Sequence, residues 1–173
     1  MHDWLMALLF FLPAGVANAT PVIANKIPLV NKWATPVDFG LSLRGKRLLG
    51  DNKTWRGIFT ATLLAGVTGW LLYPLVTNDQ SRGAVFGLSL LMGFGAMLGD
   101  SVESFIKRKR NVPAGHSWFP FDQIDYIIGG LVLVAPFADI SAKTLGLIFV
   151  TYFTLHLASA YFAYLIGLKD RPI

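Results

Sequence analysis

The sequence predicts an all-α integral membrane protein of about five transmembrane helices, with a basic cytoplasmic loop between the first two. Three observations carry that prediction. Only 14% of the 173 residues are charged and 54% are apolar, where an ordinary soluble domain is about 25% charged. Several apolar stretches reach the ~20 residues needed to cross a bilayer. The charge is also clustered: eleven of the fifteen Lys and Arg lie between Lys26 and Arg56 or between Lys107 and Arg110. On a membrane protein such clustering first sets orientation, and second invites a phosphate-bearing partner. Nucleic acid is not an expected partner. The chain has no cysteine, which removes disulfides and thiolate metal sites from consideration.

The spans fall at 3–24, 57–76, 83–106, 123–138 and 144–167. The first resembles a signal peptide, with a short apolar core and an Ala17-Asn18-Ala19 ending. Its leading His2-Asp3 carries no Lys or Arg, however, and apolar residues resume at Pro21-Val22-Ile23, so a first transmembrane helix is the better reading. Pro13 and Gly15 should bend it, with Asn18 turned inward. The fourth span is the shortest and suits a tilted or partly recessed helix. Gly83 with Gly87, and Gly95 with Gly99, have the small-residue spacing of close helix packing. Contacts within the chain are the expected use of these glycines, with a homodimer contact as the alternative. No repeat or second domain interrupts residues 1–173.

The basic loops orient the spans. Seven basic and two acidic residues lie between spans one and two, the Lys107 to Arg110 run follows span three, and Lys169 and Arg171 follow span five. With five spans these regions share one side, placing the N-terminus outside and the C-terminus in the cytoplasm. A multi-pass protein of the cell membrane is expected.

Asp100, near the end of span three, then lies on the same side as Asp122 and Asp125 at the start of span four. Asp100, Glu103, Ser104 and Lys107 share a helical face, and Asp100 sits about 10 Å deeper than Lys107. A carboxylate at that depth is costly unless paired or metal-bound. Pairing with Lys107 or Arg108, with Asp122 and Asp125 as helix caps, would be the structural explanation. The alternative is a site at which carboxylates from two helix ends hold Mg²⁺, a hard ion often shared with substrate phosphates. Three acids on one side, among only ten in the chain, favour the site. The first loop adds Arg44, Lys46, Arg47, Lys53 and Arg56 among Gly40, Gly45, Gly50 and Gly57, a composition suited to phosphate oxygens or to anionic headgroups. The P-loop spacing is absent.

These residues carry a resemblance. "GDSVESFIKR" (99–108) resembles the Gly-Asp-x3-Ser-x2-Lys-Arg signature of phosphatidate cytidylyltransferases and their smaller relatives, the CDP-archaeol synthases. "FDQID" (121–125) is similar to the Asp-Gln-x-Asp of the smaller family, and "GDNKTWRG" (50–57) to its Lys-Thr-Trp-Arg-Gly element. "PAGVANATPV" (13–22) and "PVDFG" (36–40) resemble the same group. The larger enzymes' Pro-Gly-His-Gly-Gly stretch is only echoed in "PAGHSW" (113–118), which leaves His116 without an assigned role. Gln123 stands where they have arginine, and the Lys-Asp pair after their Lys-Arg is missing. The resemblance implies a single-domain, Mg²⁺-dependent cytidylyltransferase that takes CTP and a membrane lipid phosphate, forms a CDP-lipid such as CDP-archaeol, and releases pyrophosphate. It implies Asp100 and Asp122 as metal ligands, Asp125 as a further acid, and Lys107 as a catalytic cation. Lys53, Thr54, Arg56, Ser104, Lys107 and Arg108 would meet CTP or other phosphates. Two other activities compete: CDP-diacylglycerol synthesis from phosphatidate, and a small cation or proton transporter. Against a transporter, the acids gather at one membrane face and are absent from spans two and five. A non-catalytic lipid-binding subunit is a third reading.

Overall fold

The computed structural model describes residues 3–24, 33–43, 45–76, 80–113 and 116–167. Five α-helices form among them: α1 (Asp3–Ala24), α2 (Trp55–Val76), α3 (Arg82–Lys109), α4 (Phe121–Val134) and α5 (Ala142–Leu165). A two-stranded hairpin, β1 (Ser42–Leu43) with β2 (Lys46–Arg47), lies in the loop between α1 and α2. Four helices, all but α4, are long and apolar enough to cross a membrane. At 14 residues α4 is about 21 Å long, and a 3-10 turn over Ala135–Phe137 extends it. The expected five spans therefore appear as five helices, with the fourth the short one. The arrangement is that of a multi-pass membrane protein.

The helix ends follow from local chemistry. Ser81 Oγ accepts from Ala84 N at 3.1 Å and Ser141 Oγ accepts from Thr144 N at 3.1 Å, capping α3 and α5. Thr54 Oγ1 accepts from Gly57 N at 3.2 Å at the start of α2. Lys107, Arg108 and Lys109 close the last turn of α3, where the helix dipole favours cations. Helix α1 continues through Pro13, and Asn18 on it is half-buried.

Helix α3 is the centre of the bundle, packing against α4, α2 and α1. The core runs through Ala7, Phe11, Ala14, Ala61, Met92 and Ile127, with Tyr152 closing it from α5. Tyr152 Oη donates to Leu8 O at 2.6 Å, and Tyr126 Oη donates to Tyr152 O at 3.0 Å, pinning α5 to α1 and α4. Otherwise α5 is lightly covered, with Val150, Leu155, Phe162 and Leu165 exposed. In a bilayer such residues meet lipid tails rather than water.

The two glycine pairs part company. A Cβ on Gly95 would stand 2.4 Å from Gly129 O and one on Gly99 2.1 Å from Asp125 O, whereas Gly83 and Gly87 face no packed neighbour. Gly95 and Gly99 serve packing within the chain.

Candidate active site

The close approach of α3 and α4 sets up the site. Because Gly99 lacks a side chain, the backbone of Asp125 can rest against α3 one residue before Asp100. One carboxylate oxygen each from Asp100, Glu103 and Asp125 then lies within 4.8 Å of the others. Asp100 and Glu103, three residues apart, project from one face of α3. Asp125 belongs to the start of α4, where its Oδ1 also accepts from Tyr126 N at 2.6 Å.

Two lysines balance these acids. Lys53, from the loop before α2, donates through Nζ to Asp100 Oδ2, and both side chains are about one-quarter exposed. Lys107 Nζ lies 3.1 Å from Glu103 Oε1 and 2.5 Å from Asp122 Oδ1. Asp122 Oδ2 accepts from Trp118 N at 3.0 Å, closing the turn into α4. Glu103 therefore belongs to both groups, beside Asp100 and Asp125 and also on Lys107.

The loop that delivers Lys53 is itself built around a buried acid. Asp38 accepts from Gly40 N at 3.1 Å, Leu49 N at 2.9 Å and Gly50 N at 3.3 Å. Arg47 grips the same carboxylate, with Nη2 2.8 Å from Oδ1, and also reaches Asp51. Burial alone would raise the Asp38 carboxyl, but Arg47 and the three backbone N–H groups outweigh it and hold the group well below the usual carboxylate range. The loop closes below this clasp. Lys53 N donates to Gly50 O at 3.3 Å, Val37 N to Lys53 O at 2.8 Å and Trp55 N to Thr35 O at 3.1 Å. Lys53 stands where the chain returns to the bundle. The loop glycines serve its turns: Gly40, Gly45 and Gly50 have φ of 84°, 75° and 96°, the region glycine enters freely.

Of the residues singled out in the sequence, Lys53, Asp100, Lys107, Asp122 and Asp125 come together at one end of the bundle. The expected partner of Asp100 was Asp122. The structure groups Asp100 with Glu103 and Asp125 and sets Asp122 on Lys107, and the contact at Gly99 falls opposite Asp125. Asp100 itself pairs with Lys53 rather than with Lys107 or Arg108. Thr54 uses its hydroxyl oxygen as a helix cap, and Arg56 is 4% exposed in the first turn of α2. Ser104 is buried one turn beyond Asp100. Arg108 Nε is buried and has no hydrogen-bond partner among the described residues. His116 is exposed in the α3–α4 connection, and Arg44 lies outside the described residues. Sequence reasoning assigned no role to Glu103 or Asp38. The first had a signal, since it lies three residues after Asp100 and four before Lys107 on the same face. The second stood in the family-like "PVDFG" stretch, but its partners Arg47, Leu49 and Gly50 lie nine to twelve residues away and had no local signal.

The family model for CarS-like CDP-archaeol synthase matches residues 1–173. The chain is 36% identical over 169 residues to the CDP-archaeol synthase of Thermococcus kodakarensis, covering 96% of this chain and 94% of that one. It is 34% identical over 174 residues to that of Pyrococcus horikoshii, covering 99% and 98%. Its fold is similar to a solved structure described as an intramembrane enzyme for archaeal membrane lipids biosynthesis, with a TM-score of 0.76, 31% identity, and coverage of 88% of this chain and 91% of that one. With the motif residues gathered at one end of a helical membrane bundle and the match running its full length, the chain belongs to the CarS-like CDP-archaeol synthase family.

Proposed function

We propose that this protein transfers CMP from CTP to a geranylgeranyl glycerol phosphate in the membrane, giving CDP-archaeol and pyrophosphate. The observation that carries this reading is the convergence of Asp100, Glu103 and Asp125 beside Lys53 and Lys107, at one end of a transmembrane bundle of this family. Water-soluble CTP and a lipid whose tails stay among apolar helices can meet there.

The lipid phosphate is already anionic at pH 7, so no strong base is needed. One of its oxygens forms a bond to the α-phosphorus of CTP, the bond from that phosphorus to the bridging oxygen breaks, and pyrophosphate leaves with the electron pair. Catalysis is then alignment and charge neutralisation. Lys53, on a flexible four-carbon stem, can pass from Asp100 to a phosphate oxygen. Lys107 is held in place by Glu103 and Asp122, which favours a fixed contact. Arg108, with its Nε unpartnered, supplies a further donor. The CTP contacts read for Thr54, Arg56 and Ser104 belong to the same proposal; all three are buried at this end of the bundle.

Three carboxylates with no His or Cys among them form a hard-oxygen donor set that fits Mg²⁺. Asp100 and Asp125, with Glu103, are the residues placed to hold the ion, and Asp122 adjoins them through Glu103 and Lys107. Bound there, Mg²⁺ would supply positive charge to the α-phosphate and the departing pyrophosphate. The clustering of basic residues in the sequence supports a cytoplasmic position for this end of the bundle and for the C-terminus.

The test uses purified protein with CTP, Mg²⁺ and a matched panel of ether-isoprenoid and diacyl glycerol phosphates. Formation of CDP-archaeol with stoichiometric pyrophosphate is expected. Preference for phosphatidate would move the protein to CDP-diacylglycerol synthesis. Absence of any CDP-lipid would overturn the reading in favour of a transporter or scaffold.

A further inference from the structure

The loop between α1 and α2 exposes large apolar side chains. Phe39 is 70% exposed, Leu41 60% and Leu43 51%. Leu41 and Leu43 alternate along the hairpin and so share one of its faces. Phe39, at the turn before the hairpin, links the loop to the surface of α2. The Phe39 ring lies 6.2 Å from Trp55, Trp55 lies 6.0 Å from Phe59, and Phe59 stacks on Trp33 at 5.8 Å. Phe59 in turn begins the stripe of Phe59, Leu63, Val67 and Leu71, all exposed and four residues apart. On a bilayer-crossing helix that stripe faces lipid. The loop residues thus extend a lipid-facing surface beyond the end of its helix, at the height where aromatic side chains gather in membrane proteins.

The hairpin is built to leave bulk water. Its strands pair Ser42 with Arg47 and Leu43 with Lys46, Leu48 N donates to Leu41 O at 3.1 Å, and the N–H groups of Gly40, Leu49 and Gly50 go to Asp38. These backbone donors are therefore not stranded at an apolar boundary. Charge is arranged to match. Lys46 stands opposite Leu43, where its long stem can lie along apolar surface while its ammonium stays with polar headgroups. That ammonium also donates to Asn111 Oδ1, fixing the hairpin to the end of α3.

We propose that the 39–49 hairpin is a membrane-contact element, with Phe39, Leu41 and Leu43 seated at the headgroup–acyl boundary of the bilayer that the helices cross. The loop that delivers Lys53 is then held from two sides, by the Asp38 clasp within and by lipid without. This inference needs only the membrane bundle and stands apart from the catalytic reading.

The absence of cysteine allows a clean test. Leu41→Cys and Asn52→Cys, both exposed positions of the loop, are each labelled with the environment-sensitive fluorophore NBD and placed in nanodiscs of mixed zwitterionic and anionic phospholipid. The label at 41 should emit to the blue of the label at 52 and lose more intensity when the lipids carry a nitroxide at the top of the acyl chain. Water-like emission from position 41, with no nitroxide quenching, overturns the proposal. So does disulfide cross-linking of Leu41→Cys between two copies in one nanodisc, which would make the patch a protein interface. The triple variant Phe39→Ser, Leu41→Ser, Leu43→Ser gives an independent reading. It should remain folded and bind CTP as the parent does, while its hairpin becomes more accessible to protease in the bilayer. Unchanged protease resistance overturns the proposal.

Discussion

The two ends of the bundle each hold a lysine–aspartate pair that joins distant parts of the chain, and the pairs are unlike in all but type. Lys143 meets Asp3 where α5 begins beside the start of α1, with side chains 72% and 62% exposed. Lys53 meets Asp100 at the other end, with side chains 22% and 25% exposed, beside two further carboxylates and a second lysine. An exposed pair exchanges one solvated state for another and contributes little. A pair withdrawn from water has paid for desolvation, so each charge there depends on its partner. The chain concentrates mutually dependent charge at one end and leaves the other with loose fastenings. Arg82, over the rings of Trp70 and Tyr73 at 5.2 and 5.1 Å, is another such fastening.

The sharpest way to break the contrast is to remove the cation shared by two acids. Lys107→Ala leaves Glu103 and Asp122 facing each other with no counter-charge, and a buried pair broken on one side costs about 3–5 kcal/mol. Thermal unfolding in detergent should report that loss, and Asp122→Asn added to Lys107→Ala should restore part of it. Equal melting of the parent and Lys107→Ala would place both carboxylates in water.

Asp100→Asn and Asp125→Asn probe chemistry rather than stability. Each keeps the side-chain volume and removes one charge from the acid cluster. Loss of a group that organises transition-state charge costs about 10²–10³ in turnover, and CDP-lipid formation should fall by that factor while helical circular dichroism is unchanged. Wild-type turnover in both would remove these acids from the reaction. Asp122→Asn, whose carboxylate lies on Lys107, should cost less than either.

Much of this end was legible in the sequence for a physical reason. Helix periodicity converts spacing into a shared face, so Asp100, Glu103, Ser104 and Lys107 could be grouped at once. Bilayer length converts apolar runs into spans, so the helices fall within a few residues of their expected limits. What could not be read was rotation and approach. That Asp125 joins Asp100 and Glu103 depends on which residue of α4 meets Gly99, a tertiary fact without a local signal. The loop was opaque for the opposite reason. Its glycines and basic residues suggested phosphate binding, yet Arg47 is occupied by Asp38 and Asp51, and the glycines at 40, 45 and 50 make turns.

Gly99→Ala tests the approach itself. The added methyl would stand 2.1 Å from a backbone oxygen, which no side-chain rotation relieves, so α3 and α4 must separate. Overpacking of this kind costs about 1–3 kcal/mol, and turnover should fall with it because Asp125 leaves Asp100. Gly87→Ala, with open space before it, is the control and should leave turnover as it is.

The loop responds to pH in a stated direction. Asp38 has its proton affinity lowered by the folded loop, so its contribution is complete above the unfolded value of about 4. It is lost as pH falls through the depressed folded value. Protease resistance of residues 38–51 in the intact protein should therefore persist at pH 5 and decline in stronger acid. Asp38→Ala should lose it at pH 7 and also raise the KM for CTP, because Lys53 is no longer held where the loop returns. If Asp38→Ala and Lys53→Ala each raise that KM and their effects simply multiply in the double variant, the clasp does not act through Lys53.

The smallest effect is expected at the opposite end, and the contrast depends on it. Lys143→Ala removes a bond that connects residues 140 positions apart, a separation that on its own suggests a large role in holding α5 to α1. Exposure argues the other way. Both charges regain full hydration when the pair is broken, both side chains regain rotamer freedom, and exposed pairs contribute about 0.2–1 kcal/mol. The part-buried bond from Tyr152 to Leu8 and the buried one from Tyr126 to Tyr152 continue to hold the helix. Melting should shift within that range and shrink further in high salt, with CDP-lipid formation unchanged. A loss of turnover in Lys143→Ala would mean that the placement of α5 reaches the acid cluster through Tyr152 and Tyr126, and that the two ends are not energetically separate.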